Sequence, residues 1–117
     1  MPHAATLSAE MRQCVEECLR CYALCLETAQ HCLSMGGKHA EPQHIALMLT
    51  CASICETSAR AMLLGSQQHT ETCRSCAVIC RACAEDCRSM ADGDETMVRC
   101  AEACDRCAQS CEQMAGA

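Results

Sequence analysis

The chain is expected to be all-α, an antiparallel up-down-up-down four-helix bundle with a cysteine-lined core. Three observations lead there. Cysteines and methionines recur in alternating steps of three and four, breaks rich in Gly, Ser and Asp cut that rhythm into four runs, and the connections between runs are short. The run CRSCAVICRACAEDCRSM shows the rhythm most clearly, with Cys73, Cys76, Cys80, Cys83, Cys87 and Met90 in step. Such steps are the a/d period of a helix, so these sulfurs leave one face of one rod and look into a bundle.

Residues 1–6 carry no apolar period and are expected to fray. Thr6 or Ser8 can cap a first helix over about 7–35, whose stripe reads Met11, Cys14, Cys18, Cys21, Cys25, Thr28, Cys32 and Met35. Gly36-Gly37 ends it, because glycine takes positive φ at no steric cost. Pro42 suits the first turn of a second helix over about 42–64, with His44, Met48, Cys51, Cys55, Ser58 and Met62 in step. Ser66 is expected to cap a third helix over about 67–91. Asp94 is expected to cap a fourth over about 95–115, with Glu95 favourable near the positive end of the helix dipole. The stripe of that helix reads Met97, Cys100, Cys104, Cys107, Cys111 and Met114.

All 16 cysteines and every methionine except Met1 lie on these stripes. Residues 1–117 are thus expected to form one domain. Short connections join antiparallel neighbours, which gathers Met35, His44, Met48, Met90 and Met97 at one end and Met11, Met62, His69 and Met114 at the other. Cys83 to Met90 and Cys107 to Met114 share the pattern C-A-x-x-C-x-x-M, a trace compatible with duplication of a helical hairpin.

With one Tyr and no Phe or Trp among 117 residues, sulfur takes the inward positions that Leu or Ile hold in an ordinary bundle. A net charge of −6 with interspersed signs argues against a nucleic-acid partner, which calls for a basic face. The amino terminus shows no basic segment followed by an apolar one, no stretch is expected to span a membrane, and no membrane partner is expected. A secreted disulfide scaffold would show irregular spacings and turn-rich loops. The expected location is therefore cytoplasmic, where thiols stay reduced and a dense cysteine cluster reads as a metal site.

Residues four apart on a helix are neighbours, so Cys14/Cys18, Cys21/Cys25, Cys51/Cys55, Cys76/Cys80, Cys83/Cys87, Cys100/Cys104 and Cys107/Cys111 each aim two sulfurs at nearly one spot. Interleaved C-x-x-C steps turn these pairs into a continuous ladder. Zinc prefers closed tetrahedral sites, whereas a column of thiolates ending in thioethers suits a softer ion content with two or three sulfurs, which points to Cu(I), several ions per chain. Candidate ligands are the 16 cysteines, with His31, His44, Met35, Met48, Met90 and Met97 at the mouth. His69 is a similar candidate at the other end, while His3 and His39 read as solvated. Tyr22 is expected at a helix rim. Thr28 and Ser58 interrupt the column, and their hydroxyls are expected to bond back to the preceding turn.

This ladder, together with the HCLSM segment at 31–35, resembles the bacterial copper storage proteins, in particular their cytosolic members without an export signal. The resemblance spans essentially the whole chain. It implies a bundle whose core holds many Cu(I) ions between cysteine pairs, a mouth containing His and Met, and assembly into oligomers. Carried over, the ligands are the 16 cysteines, with His31 and Met35 matching the mouth motif; Met48, Met90 and Met97 follow from the antiparallel topology. The second helix is apolar on more than one side, so a homo-oligomer, for instance a tetramer, is expected to join along it.

Other classes fit less well. A thiol redox protein needs one C-x-x-C at a helix amino terminus, and an iron–sulfur carrier needs cysteines on loops. No constellation suggests an enzyme. A zinc or heavy-metal buffer remains the alternative.

Overall fold

The computed structural model describes residues 7–116. Four helices form the expected all-α bundle: α1 (Ala9–Met35), α2 (Pro42–Leu63), α3 (His69–Ala91) and α4 (Glu95–Gly116). Each helix packs on its two neighbours in the order α1, α2, α3, α4 and back to α1, giving a rod of 54 × 20 × 20 Å.

Local chemistry sets most helix ends as expected. Ser8 caps α1, its Oγ accepting the Met11 N–H at 3.0 Å, while Thr6 and His3 lie outside the described residues. Gly36 stops α1 at φ 72° and donates its N–H to the Cys32 carbonyl. Asp94 caps α4, its Oδ1 accepting the Met97 N–H at 3.0 Å.

α2 begins at Pro42 as expected, with a cap that the sequence did not single out, and the start of α3 differs from expectation. The connection after α1 contains a 3₁₀ turn, Gly37–Ala40, and the cap of α2 is Glu41, whose Oε1 accepts the His44 N–H at 3.0 Å ahead of Pro42. Glutamate is not among the favoured caps, so its role depends on where the turn leaves it. α3 begins at His69 rather than 67. Ser66 Oγ accepts the Gln68 N–H, closing a local turn, and the Ser66 carbonyl accepts from both the His69 backbone N–H and its Nδ1–H.

α2 also corrects the expectation about membranes. Its 22 residues are long and apolar enough to cross one, judged by length and composition. In the bundle its inward face buries Met48, Cys51, Cys55 and Met62 together with His44 and Ser58. Leu49 and Leu63, with Leu64 just after the helix, remain exposed, so α2 is apolar both inside and outside.

Every cysteine is free, and none has any exposed surface. Buried alanines such as Ala29, Ala52, Ala84, Ala101 and Ala108 flank the stripes. With so little bulk beside them, the helices approach closely enough for sulfurs of different helices to meet. Thr28 and Ser58 do not follow the expected back-bonding: both are fully buried, and neither hydroxyl has a hydrogen-bond partner among the described residues. The back-bond is made instead by exposed Ser34 and Thr57, to the carbonyls of Gln30 and Ser53.

Such a core is apolar only while its thiols keep their protons. Burial, reinforced by the charges of Asp94, Cys100 and Asp86, pushes the Cys32 thiol up to about 11. At Cys73 a hydrogen bond from Cys111 acts downwards, but the bond with Cys14 and burial outweigh it, and the thiol rises to about 12. Both values exceed the ordinary 9.0, so the folded state holds these protons more tightly than the unfolded chain. Their stabilising contribution is fully present below about pH 9 and is lost as pH rises through about 11–12. Thermal unfolding of the reduced, metal-free protein followed by circular dichroism should therefore show a falling midpoint between pH 9 and about 11. A midpoint that rises over this interval contradicts a core of neutral thiols.

Candidate metal centre

The inward stripes of the four helices merge into one column of sulfur. At the end nearest the α1 amino terminus, Cys14, Cys73 and Cys111 form a triangle, with Cys14 and Cys111 Sγ 3.7 Å apart. The Met62 Sδ closes this end, 3.9 Å from Cys73 Sγ. Next along the axis come the groups Cys18–Cys76–Cys107–Cys111 and Cys55–Cys76–Cys80–Cys107, then Cys21–Cys51–Cys55–Cys80 and Cys21–Cys25–Cys51–Cys104. Within each group the sulfurs lie within 4.8 Å of one another.

Neighbouring groups share corners: Cys111, Cys76, Cys107, Cys55, Cys80, Cys21 and Cys51 each belong to two of them. The closest contacts are 3.6 Å, at Cys18–Cys111, Cys21–Cys104, Cys51–Cys80 and Cys55–Cys80. A zinc–sulfur bond of about 2.3 Å implies tetrahedral edges of about 3.8 Å, so distance alone suits zinc as well as copper. What separates the ions is sharing. A structural zinc site is closed around its own four ligands, whereas here each bridging sulfur faces two neighbouring sites.

The column changes character towards the other end. Cys32, Cys83, Cys87 and Cys100 lie outside the compact groups. At this end the stripes offer Thr28 from α1 and Met48 from α2 in place of thiols. Cys100 still reaches Cys25 at 3.9 Å, and Cys32 Sγ meets the His44 Nε2 at 3.4 Å.

His44 is buried, and its Nδ1 contacts the Asp86 carboxylate. A carboxylate can only accept, so Nδ1 carries a proton, and in the neutral ring the lone pair on Nε2 faces Cys32. His31 turns elsewhere: its Nε2 meets Asp94 Oδ2 at 2.8 Å. The His31 contact and the Met97 N–H hold the Asp94 carboxyl below the usual carboxylate range. Met48 and Met97 are fully buried, and Met90 is half-buried against the core.

Met35, expected at the mouth, is 46% exposed on the last residue of α1. The His69 ring bonds within its own turn, its Nδ1–H donating to the Ser66 carbonyl at 2.9 Å. His39, expected to be solvated, is half-buried, and its Nε2 lies 3.3 Å from the Met90 carbonyl. Tyr22 is half-buried against the core, as expected of a rim residue. Among the described residues, the structure thus buries the cysteines, His44, Met48 and Met97 in one core, whereas His31 pairs with Asp94 and Met35 lies exposed. Sequence reasoning missed Asp86, whereas it placed Met62 on its stripe at the end opposite His44, where Met62 meets Cys73. Asp86 directly precedes a stripe cysteine, Cys87, at the level of His44, and that adjacency was its only sequence signal.

Electrostatics along the column is set by the thiols themselves. Cys55, chiefly through its hydrogen bond with Cys107, and Cys104, chiefly through that with Cys100, are driven up, and burial acts in the same direction. Adjacent thiols therefore do not ionise together without a cation between them. At the His44 end the carboxylates of Asp86 and Asp94 add negative charge where a cation would arrive.

Comparison with known proteins gives this arrangement a family. The family model described as copper storage protein (Csp) matches residues 7–116. The protein Nmul_A1745 of Nitrosospira multiformis is 44% identical with a TM-score of 0.85, the alignment covering 92% of this chain and 95% of that one. The Cu(I)-bound copper storage protein BsCsp3 is 35% identical with a TM-score of 0.84, covering 91% and 98%. A cytosolic copper storage protein from Streptomyces lividans, solved with five coppers, is 31% identical with a TM-score of 0.84, covering 92% and 93%. None of the curated proteins compared matches the chain. Built as a four-helix bundle around a shared column of buried thiols, the chain belongs to the copper storage protein family.

Proposed function

We propose that this chain stores Cu(I), holding many ions on the thiolates of its 16 cysteines inside the bundle. The observation that carries this reading is the sharing of sulfurs between successive buried groups, which suits bridging thiolates and a soft, low-coordinate ion. Relatives solved with Cu(I) or with five coppers support it.

Charge explains the capacity. Each Cu(I) that replaces one thiol proton leaves the charge of the core unchanged, whereas thiolates left unpaired in a dry interior are very costly. Electroneutrality therefore favours filling towards one ion per thiol. Copper would arrive at the His44 end, where Asp86 and Asp94 attract cations and His44, Met48 and Met97 offer neutral donors. Cys32 is the first thiol there, its S–H facing His44 Nε2, and the proton it gives up passes outwards as the ion moves inwards. His31, Met35 and Met90 would serve outside the column, as earlier contacts for the incoming ion. The same groups bind and release metal without turnover, so no catalytic role is assigned.

Anaerobic titration of the fully reduced protein with Cu(I), against a competing chelator, tests this reading. Uptake should continue to about one ion per cysteine, roughly 16 per chain, with each addition releasing protons. Saturation at one or two ions, or retention of Zn(II) in preference to Cu(I), contradicts storage of copper and favours a zinc or heavy-metal buffer.

We further infer a cytosolic homo-oligomer, a tetramer being one form consistent with the expected interface. Leu49, Leu63 and Leu64 leave an apolar outer face on α2, and the Streptomyces lividans relative is cytosolic. Fractionation followed by sedimentation of the native protein should find it in the cytosolic fraction at a multiple of 12.6 kDa. Recovery from the periplasm, or a monomer mass at micromolar concentration, contradicts the respective assignment.

A further inference from the structure

Two positions on the sulfur stripes carry hydroxyls in place of sulfur, and both hydroxyls are idle. Thr28 and Ser58 have no exposed surface, and neither oxygen has a hydrogen-bond partner among the described residues. Burying a hydroxyl without a partner is unfavourable, and a folded protein seldom leaves one so. Elsewhere in this chain Ser34 and Thr57 satisfy theirs by bonding back along the helix, so an orphaned hydroxyl is not the rule for these residue types here.

The setting of Ser58 shows what it faces. On α2 it occupies the step between Cys55 and Met62. Cys55 joins Cys76 and Cys107 in one group, and Met62 Sδ touches Cys73. Ser58 therefore stands at the level of the groups Cys18–Cys76–Cys107–Cys111 and Cys14–Cys73–Cys111. Both groups draw their sulfurs from α1, α3 and α4, and neither takes one from α2. Ser58 is the α2 stripe position at a level where α1, α3 and α4 supply the thiols.

A thiol is a weak donor and a weak acceptor, so it gives a hydroxyl little to bond while the core is protonated. A thiolate is different. As an anion it accepts a charge-assisted hydrogen bond, shorter and stronger than a neutral one. A hydroxyl oxygen is a hard ligand and a poor choice for Cu(I), so donation to sulfur suits it better than coordination of the metal.

We propose that Ser58 is a positioning residue for the filled column, donating its hydroxyl proton to a neighbouring metal-bound thiolate, so that a donor idle in the empty protein is satisfied only in the loaded one. Thr28, between Cys25 and Cys32 on α1, does the same near the His44 end. The inference rests on the copper-storage reading above and adds a reason for the two breaks in the thiol stripes. Groups that hydrogen-bond metal ligands from behind typically alter metal affinity by 10–100-fold.

Chelator competition with Cu(I)-loaded wild type, Ser58→Ala and Ser58→Thr tests the assignment, with Thr28→Val and Thr28→Ser as the parallel set. Ser58→Ala should bind its weakest-held ions about tenfold less tightly or worse, and Ser58→Thr should restore the affinity. The near-ultraviolet thiolate–Cu(I) absorption of Ser58→Ala should move to longer wavelength, because a thiolate without its hydrogen bond holds its electrons less tightly. The metal-free form of Ser58→Ala should melt no lower than wild type, since it loses only an unpaired hydroxyl. Wild-type affinity and spectrum in Ser58→Ala, or a lower melting point of its metal-free form, would overturn the assignment while leaving copper storage intact. Failure of wild type itself to take up more than one or two ions would overturn both.

Discussion

Sixteen thiols can lie together in a dry interior only while each is electrically neutral, carrying either a proton or a monovalent ion. The rest of the structure depends on that constraint. It allows sulfur to replace the branched and aromatic side chains of an ordinary bundle, because a neutral thiol packs as a small apolar group. Alanines beside the stripes keep the helices close, and close helices give the sulfurs neighbours from every side. Exchange of H⁺ for Cu(I) then alters the contents of the core without altering its charge.

The two ends of the column differ in their donors. Near the α1 amino terminus Cys14, Cys73 and Cys111 still form a compact group, and Met62 stops the file. Near the α1 carboxyl terminus the compact groups give out, His44 meets Cys32, and Met48 and Met97 are buried in the same core. Asp86 orients the His44 ring, while Asp94 both caps α4 and holds His31. α2 is the exceptional wall. It contributes only Cys51 and Cys55 as thiols, but supplies the buried histidine, two of the buried methionines and Ser58.

Much of the site could be read from the chain because a helical period is a property of sequence alone. Cys73 to Cys87 must share a face whatever they pack against, and the same holds for the other three stripes. Features set by interhelical register stayed hidden. The pairing of His44 with Asp86, of His31 with Asp94 and of His39 with the Met90 carbonyl each needs the offset between two helices, which no local pattern reports. Met35 obeys the period yet lies exposed, because it ends its helix and has no further turn to hold it inward. Thr28 and Ser58 also obey the period, but propensity suggested a back-bond to the helix where the structure leaves both hydroxyls unpaired.

Diffraction from copper-loaded crystals, recorded on both sides of the copper absorption edge, tests the shared reservoir most directly. Anomalous peaks should lie in a file along the long axis of the bundle, each beside cysteine sulfurs from two or more helices, and number on the order of a dozen or more. One or two peaks, peaks confined to the surface, or cysteines joined as cystines would contradict it.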